Sequence, residues 1–371
     1  MYHFDNRIVI TLDAGGTNLV CGAMRGCEFI VEPVTIPSRA DNLDLCLQAM
    51  VNGFKTIIDL LDEKPVAISF AFPGPADYPN GIVGGYLPNF PSFRDGVALG
   101  PFLEEKFGLP VFINNDGDLF AFGEATAGAL PEINKRVAEL GSKKQYKNIL
   151  GYTFGTGLGI GEVIDGKLNL GNNACIETFC LPSKNDHGVM VEDFAAIRAV
   201  VREYLRLAES SETGLTPKDI CDIAEGIREG DREAAIESFR LFGEAAGDAM
   251  ATAVTLTDSL IVIGGGLTGA SKYIMPSLLE QLRSNIHTIN GEQLQRVQMN
   301  VFNLDDEHEF GEFAKGAARE IKIYGSDKTV TYDPMKRTGV TISKLGASKA
   351  ISIGAYTYAL SQIDAAAAAN A

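Results

Sequence analysis

The sequence predicts an α/β protein built as two lobes, and three observations predict it. The chain has 371 residues, enough for two hydrophobic cores. Short β-branched runs alternate with longer stretches of helical spacing. A unit of strand, glycine-rich turn and strand heads each half, at residues 7–24 and again at 148–164. Such a recurrence is a weak internal repeat. Its simplest physical reading is two lobes with a cleft between them, each offering one glycine loop.

In chain order, residues 7–12 (RIVITL) read as a buried strand and Leu19 to Met24 as its return, so the hairpin tip lies at 13–18. Residues 41–62 have helical spacing, and 65–72 (PVAISFAF) form a strand that ends in Pro73-Gly74-Pro75. Helix 99–107, strand 110–113 and helix 118–129 follow. The second half starts with strand 148–154, a glycine-rich turn over 155–161 and a return strand entered at 162–164. Helical stretches lie at about 190–209, 231–256 and 274–286, with strand 259–263 (SLIVI) between the last two. Residues 131–147 and 304–340 look like insertions, read as surface loops and a β-ribbon or else as an oligomer contact or a lid. The expected division is an N-terminal lobe over 1–125 and a C-terminal lobe over 126–350. A C-terminal helix, 351–371, is expected to pack back on the first lobe and to fray over its alanine-rich end, 365–371.

A net charge of −16 argues against nucleic acid and anionic membrane as partners. It does not argue against nucleotides, since local amides make a phosphate site. No apolar run is long enough to span a bilayer, and no secretory leader is expected at the N-terminus. Cys21, Cys27, Cys46, Cys175, Cys180 and Cys221 form no CxxC pair, which fits a reducing cytoplasm.

Asp13-Ala14-Gly15-Gly16-Thr17 places a carboxylate at a strand end, followed by two residues without Cβ and a hydroxyl. Such glycines let backbone N–H groups approach phosphate oxygens, and Asp13 can hold Mg²⁺ or its waters. The alternative is a hairpin turn that merely needs glycine. Gly155-Thr156-Gly157 opens a second such loop, and two of them suggest a nucleoside triphosphate gripped from both sides. Asn114-Asn115-Asp116-Gly117-Asp118 follows a strand and opens a helix. An Asp there can accept the proton of an attacking hydroxyl in phosphoryl transfer, or it can serve as a helix cap. Gly264-Gly265-Gly266 suits backbone packing against a flat ring or a phosphate, or a tight strand-to-helix turn.

The ordered set DAGGT (13–17), FPGPAD (72–77), LPN (87–89), NNDG (114–117), GTGLGIG (155–161), VED (191–193), IGGG (263–266) and GASKAISIGA (346–355) resembles the ROK family of sugar kinases and regulators. The resemblance covers nearly the whole chain. It implies the actin-like, hexokinase-type two-lobed fold with an ATP site between the lobes, and Mg²⁺-dependent phosphorylation of a hexose or N-acetylhexosamine such as glucose or N-acetylglucosamine, usually at the 6-hydroxyl. It also implies a homodimer. By resemblance Asp116 is the catalytic base, and Asn89, Asn115, Glu177 and Glu192 bind the sugar. Gly15, Gly16 and Thr17 form the first phosphate loop, and Gly155, Thr156 and Gly157 the second.

The chain departs from the family over 171–192. The family's GExGH segment and CxCGxxGCxE zinc loop are replaced by GNNACIETFCLPSKNDHGVMVED. Cys175, Cys180 and His187 lack the ligand pattern of a tetrahedral site, so no zinc is expected and the cysteines read as small buried packing groups. The rival readings are a family regulator, a silent sugar sensor and an actin-like ATPase of filament or chaperone type. The regulator would need a helix-turn-helix ahead of the first strand, for which the residues before position 7 leave no room.

Overall fold

The protein is described here from a computed structural model that defines residues 2–74 and 76–370. Pro75, part of the expected FPGPAD loop, lies outside the described residues, as do Met1 and Ala371. The chain forms two compact units. The first is Met1–Pro131, Gly161–Ile176 and Lys344–Ala371, and the second is Glu132–Ile160 and Glu177–Ser343. Residues 161–176 and 344–350 therefore group with the first unit, whereas the sequence reading put them in the C-terminal lobe.

In the first unit β1 (Val9–Ala14), β2 (Asn18–Arg25), β3 (Glu28–Phe29) and β4 (Val34–Pro37) precede α1 (Leu43–Asp59) and β5 (Ala67–Ala71). The short hairpin β6 (Ala76–Asp77) and β7 (Ile82–Val83), then α2 (Leu99–Phe107), β8 (Val111–Asn114) and α3 (Asp116–Thr126) follow. The sheet order is β3-β2-β1-β5-β8, with β4 also on β2; β1, β5 and β8 run parallel. Alternation along β1 explains how both faces are buried. Ile10 and Leu12 join Phe54, Ile57 and Phe70 on the α1 side, while Val9 joins Met24, Ala67, Tyr356 and Leu360 on the other.

That second face is covered by α10 (Ala347–Ala369). Helices α3 and α10 touch backbone to backbone, because a Cβ on Gly123 would overlap the Ala350 carbonyl and one on Gly354 would overlap that of Leu119. The expected frayed tail is instead helical through Ala369, as an alanine run extending an anchored helix should be.

After α4 (Ala129–Glu139), the second unit holds β9 (Ile149–Phe154), the return strand β10 (Leu158–Ile164) and its short partner β11 (Lys167–Leu168). The far end of that hairpin belongs to the first unit. Next come α5 (Ile197–Leu207), α6 (Pro217–Ala224), α7 (Arg232–Thr257), β12 (Leu260–Gly264) and α8 (Ser271–Leu282). The remainder is the ribbon β13 (Asn285–His287) and β14 (Gln293–Gln295), then β15 (Asn300–Asn303), α9 (Glu307–Lys315), the ribbon β16 (Arg319–Lys322) and β17 (Thr329–Tyr332), and β18 (Arg337–Ile342). Strands β9, β12, β18 and β15 lie side by side and parallel. Their apolar residues Tyr152, Phe154, Ile261 and Ile263 pack on Phe239, Phe242, Met250 and Leu278 of α7 and α8.

Two expectations about insertions need correction. Residues 129–139 are a helix, not a loop, with Leu130, Ile133 and Val137 buried on one side; Pro131 sits in the first turn, where proline is tolerated. The span 304–340 contains a true ribbon at 319–332, but β18 is a central buried strand of the sheet. Its polar residues disguised it: buried Thr338 donates to the Ser259 carbonyl at 2.6 Å, and Thr341 to Asp305 at 2.6 Å.

The α3–α10 contact generates a prediction. Gly354→Val must push two backbones apart, and overpacking of this kind costs about 1–3 kcal/mol. Urea unfolding should show that loss. A variant as stable as the parent would mean the contact is loose.

Candidate functional site

The carboxyl ends of β1, β5 and β8 come together by register. Asp13 pairs with Ala71, and Ala71 with Asn114. At a strand spacing of about 4.8 Å, the backbones of Asp13 and Asn114 are roughly 10 Å apart. Open α/β sheets place ligands at this end of their strands. Asn115 ends the strand segment as the N-cap of α3, its Oδ1 accepting from the Asp118 N–H at 2.6 Å. Asp116 is the first helical residue, and its own Oδ1 accepts from the Gly117 N–H at 2.9 Å.

Asp116 remains open to solvent yet is closely surrounded by protein. That partial desolvation is the main reason its carboxyl pKa is raised; the Gly117 N–H works against the rise, and the negative charge of Asp13 adds to it. The two alternatives for this segment are thus divided between neighbours. Asn115 spends its carbonyl oxygen on the cap and keeps its amide group as a donor, while Asp116 keeps a carboxylate of raised basicity.

The first glycine loop turns tightly between β1 and β2, with the Gly15 N–H donating to the Asn18 carbonyl at 2.9 Å. Gly16 lies against Asn89: a Cβ there would sit 3.0 Å from the Asn89 Cβ. The structure thereby brings Asn89 to the loop, together with Ser38, which belongs to no motif and donates to the Gly16 carbonyl at 2.5 Å. Asp13, Gly16, Thr17 and Asn89 are all exposed. Tyr78 steadies the adjoining 72–77 segment by donating to the Phe72 carbonyl at 2.9 Å.

In the second unit the turn is only Gly155-Thr156-Gly157, since β10 already begins at Leu158. Gly161 is a close-packing residue: a Cβ on it would overlap the Gly117 carbonyl at the start of α3. Gly155 has open space where a Cβ would be, whereas Gly157 has the Glu192 carboxylate 2.7 Å away. Glu192 is committed to this turn. One oxygen accepts from the Leu158 N–H at 3.0 Å, the other from Arg198 at 3.0 Å. Arg198 also binds Asp193 at 2.8 Å and the Thr156 carbonyl at 3.2 Å. Glu192 thus braces the glycine turn, and each of its oxygens keeps a second lone pair, so these contacts do not test its expected sugar role. Arg198 was missed because an arginine at the start of a helix gives no motif signal.

Glu177 is half-buried, and its negative charge reaches the buried Tyr152 phenol. Its segment is stitched to the Glu192 turn through the Glu192 N–H, which donates to the Phe179 carbonyl at 3.2 Å. Cys175 and Cys180 are exposed, not buried packing groups as expected; the Cys175 thiol donates to the Asn173 carbonyl at 3.1 Å. Among the described residues no group of three or more His, Cys, Asp or Glu side chains is arranged to hold a metal ion. Gly265 takes a φ of +98°, and any Cβ there would overlap the Phe154 carbonyl. Of the three glycines ending β12, this one serves the tight turn, while Gly266 faces open space.

Parallel strands that end in glycine turns or lead into helices define an α/β fold that places polar groups at the carboxyl ends of its strands. A model of the ROK family matches residues 9–308, and the chain belongs to the ROK family. A solved glucokinase from Parabacteroides distasonis is 56% identical, covering 97% of this chain and 99% of that one with a TM-score of 0.90. The glucokinase of Thermotoga maritima is 27% identical over 296 residues, 74% of this chain and 86% of that protein. A ROK glucokinase from Streptomyces griseus, solved with glucose and AMPPNP, shares 19% identity and the fold at a TM-score of 0.59, over 94% of this chain and 98% of that one. The fold is accordingly the two-lobed actin-like, hexokinase-type α/β fold.

The glycine turn gives a prediction independent of any ligand. Gly157→Val should lower the unfolding free energy measured in urea, because it collides with the Glu192 carboxylate, while Gly155→Val should leave it within about 0.5 kcal/mol of the parent. Equal losses in both would mean that the turn is packed differently.

Proposed function

We propose that this protein is an ATP-dependent sugar kinase that transfers the γ-phosphoryl group to a hydroxyl, the 6-OH of a hexose or N-acetylhexosamine of the glucose or N-acetylglucosamine type. The observation that carries the reading is the placement of Asp116, a solvent-open carboxylate that opens α3 at the carboxyl end of a parallel sheet. The glucokinase from Parabacteroides distasonis, similar over almost the entire length, supports it.

In this reading the sugar is held by Asn89, the Asn115 amide and Glu177. Their mixture of donors and acceptors suits several hydroxyls at once and rejects analogues lacking them. Asp116 takes the proton of the attacking hydroxyl as its oxygen bonds to the γ-phosphorus; the bond from that phosphorus to the bridging oxygen breaks, and ADP leaves. Phosphoryl transfer asks little else of the protein beyond positioning and charge neutralisation. Gly15, Gly16 and Thr17 in the first unit, and Gly155 to Gly157 in the second, supply backbone N–H groups for phosphate oxygens. Glu192 and Arg198 keep the second turn in shape. Gly266 offers an open backbone surface to the nucleotide.

Mg²⁺ fits the donor set: it is commonly bound through one or two carboxylates, waters and substrate phosphates instead of an all-protein cage, and Asp13 is an exposed carboxylate at a strand end. When bound it supplies neutralisation of phosphate charge.

The test is ADP release over a panel of glucose, N-acetylglucosamine, N-acetylmannosamine, mannose, fructose and allose. One or more should give sugar-dependent turnover. Asp116→Asn keeps the shape but cannot accept the proton, so kcat should fall by about 10²–10⁴-fold while sugar and ATP still bind. Near-parental turnover in that variant, or ATP hydrolysis indifferent to every sugar, would contradict the proposal.

A further inference from the structure

A second polar cavity lies in the second unit, at the opposite end of its sheet from the glycine turn. It has a volume of about 230 Å³ and is bordered by the amino ends of β9, β12 and β18, with Lys144, Tyr146, Lys147, Asp258 and Arg337 among its walls. The strands run parallel, and β9 has 6 residues. At about 3.3 Å per residue the cavity is roughly 20 Å from the Gly155 turn. It is thus separate from the phosphate loops.

Two features mark it as a site. The first is charge. Its walls carry Lys144, Lys147 and Arg337 against Asp258, and with the Asp333 that pairs with Arg337 a small positive surplus remains, in a chain of net charge −16. The second is a pair of buried donors without acceptors. The Arg337 side chain is only 1% exposed; its Nη1 pairs with Asp333 at 2.5 Å, but its Nε–H has no partner. The Tyr146 hydroxyl is likewise buried; the Arg337 side chain is close enough to donate to its oxygen, but its own O–H finds no acceptor. Burial pushes this phenol up to about 12, so it stays a neutral donor, and the Arg337 charge is close enough to counter part of the rise. Tyr146 is fixed in place by stacking on Phe313, centroids 4.9 Å apart. Lys144 lies over the same ring at 5.1 Å, and it is half-buried, with burial first and the Arg337 charge second in lowering its pKa.

An unmade hydrogen bond on a buried donor costs about 1–3 kcal/mol, more on a charged group. Two adjacent ones call for an acceptor. Guanidinium and ammonium groups donate only, so the ligand must accept several hydrogen bonds and carry negative charge. The cavity is several times the ~30 Å³ share of one water, yet below the range of about 300–1,000 Å³ typical for drug-sized ligands. We propose that this cavity binds a compact phosphate-type oxyanion, held by the Arg337 Nε–H, the Tyr146 hydroxyl and Lys144, as a site distinct from the catalytic one. Free inorganic phosphate and the phosphate group of a small monoester share this chemistry.

Thermal unfolding of the full chain tests it, with sodium phosphate titrated against sodium chloride at equal ionic strength and with saturating ADP and Mg²⁺ present to occupy the nucleotide loops. The melting temperature should rise with phosphate by mass action. Tyr146→Phe, which keeps the ring, and Lys144→Met, which keeps the stem, should each weaken the apparent phosphate affinity by about tenfold. Both should leave sugar-dependent turnover unchanged without added phosphate. Repeating the titration with methyl phosphate, a monoester with no sugar to occupy the catalytic site, separates the sources: a tighter response that both variants weaken identifies a monoester, and a weaker one identifies free phosphate. No phosphate-specific rise, or an equal rise in parent and both variants, would overturn it. So would a high-resolution phosphate soak in which the cavity holds ordered water alone.

Discussion

Everything proposed for the catalytic chemistry depends on how a parallel sheet holds two carboxylates near one another. Asp13 ends β1 and Asp116 follows β8, two strands away, with β5 between them fixing the register. Burial of both faces of that sheet, by α1 on one side and α10 on the other, makes the register expensive to change. The α3 helix that carries Asp116 is buried along most of its length and touches α10 through glycines on both helices. A rigid support turns a carboxylate, otherwise an ordinary helix-starting residue, into a group of altered basicity. Crowding by protein disfavours its charged form, and so does the neighbouring Asp13.

The second unit applies the same architecture to a different end. There β9 stops at a three-residue turn instead of a carboxylate, and the bracing comes from Glu192 and Arg198. An ion pair whose members also hold backbone groups is worth more as a geometric clamp than as a Coulombic contribution, since exposed pairs contribute little. Glu192 therefore acts on the geometry of the glycine turn more than on its net stability.

The elements that were legible in the sequence are those whose pattern is self-sufficient. Helix α2 matches its expected range of 99–107, and the hairpin around Gly15 and Gly16 was visible from two β-branched runs and their glycines. What was not legible has identifiable causes. Helix α6 announces itself only through a capping box between Thr216 and Asp219 with Pro217 in its first turn, because its 8 residues are too few for a clear apolar period. Strand β18 hides because its polar side chains find partners only in the folded sheet. The commitment of Glu192 likewise depends on Leu158 and Arg198, which no spacing rule connects to it. Motifs pointed to candidate residues, but tertiary partners decide what each side chain touches.

The central claim is that Asp116 works as a base whose affinity for protons has been raised by its surroundings. The most direct measurement is the pH dependence of kcat/KM for the preferred sugar, which reports the free enzyme's essential base. A base acts only when unprotonated, so activity must fall as pH drops through its pKa. The account predicts an acidic limb centred clearly above about 3.9, the ordinary value for aspartate. A profile that stays flat from neutrality down to about pH 4 would show an unperturbed carboxylate or none at all, and would contradict the account.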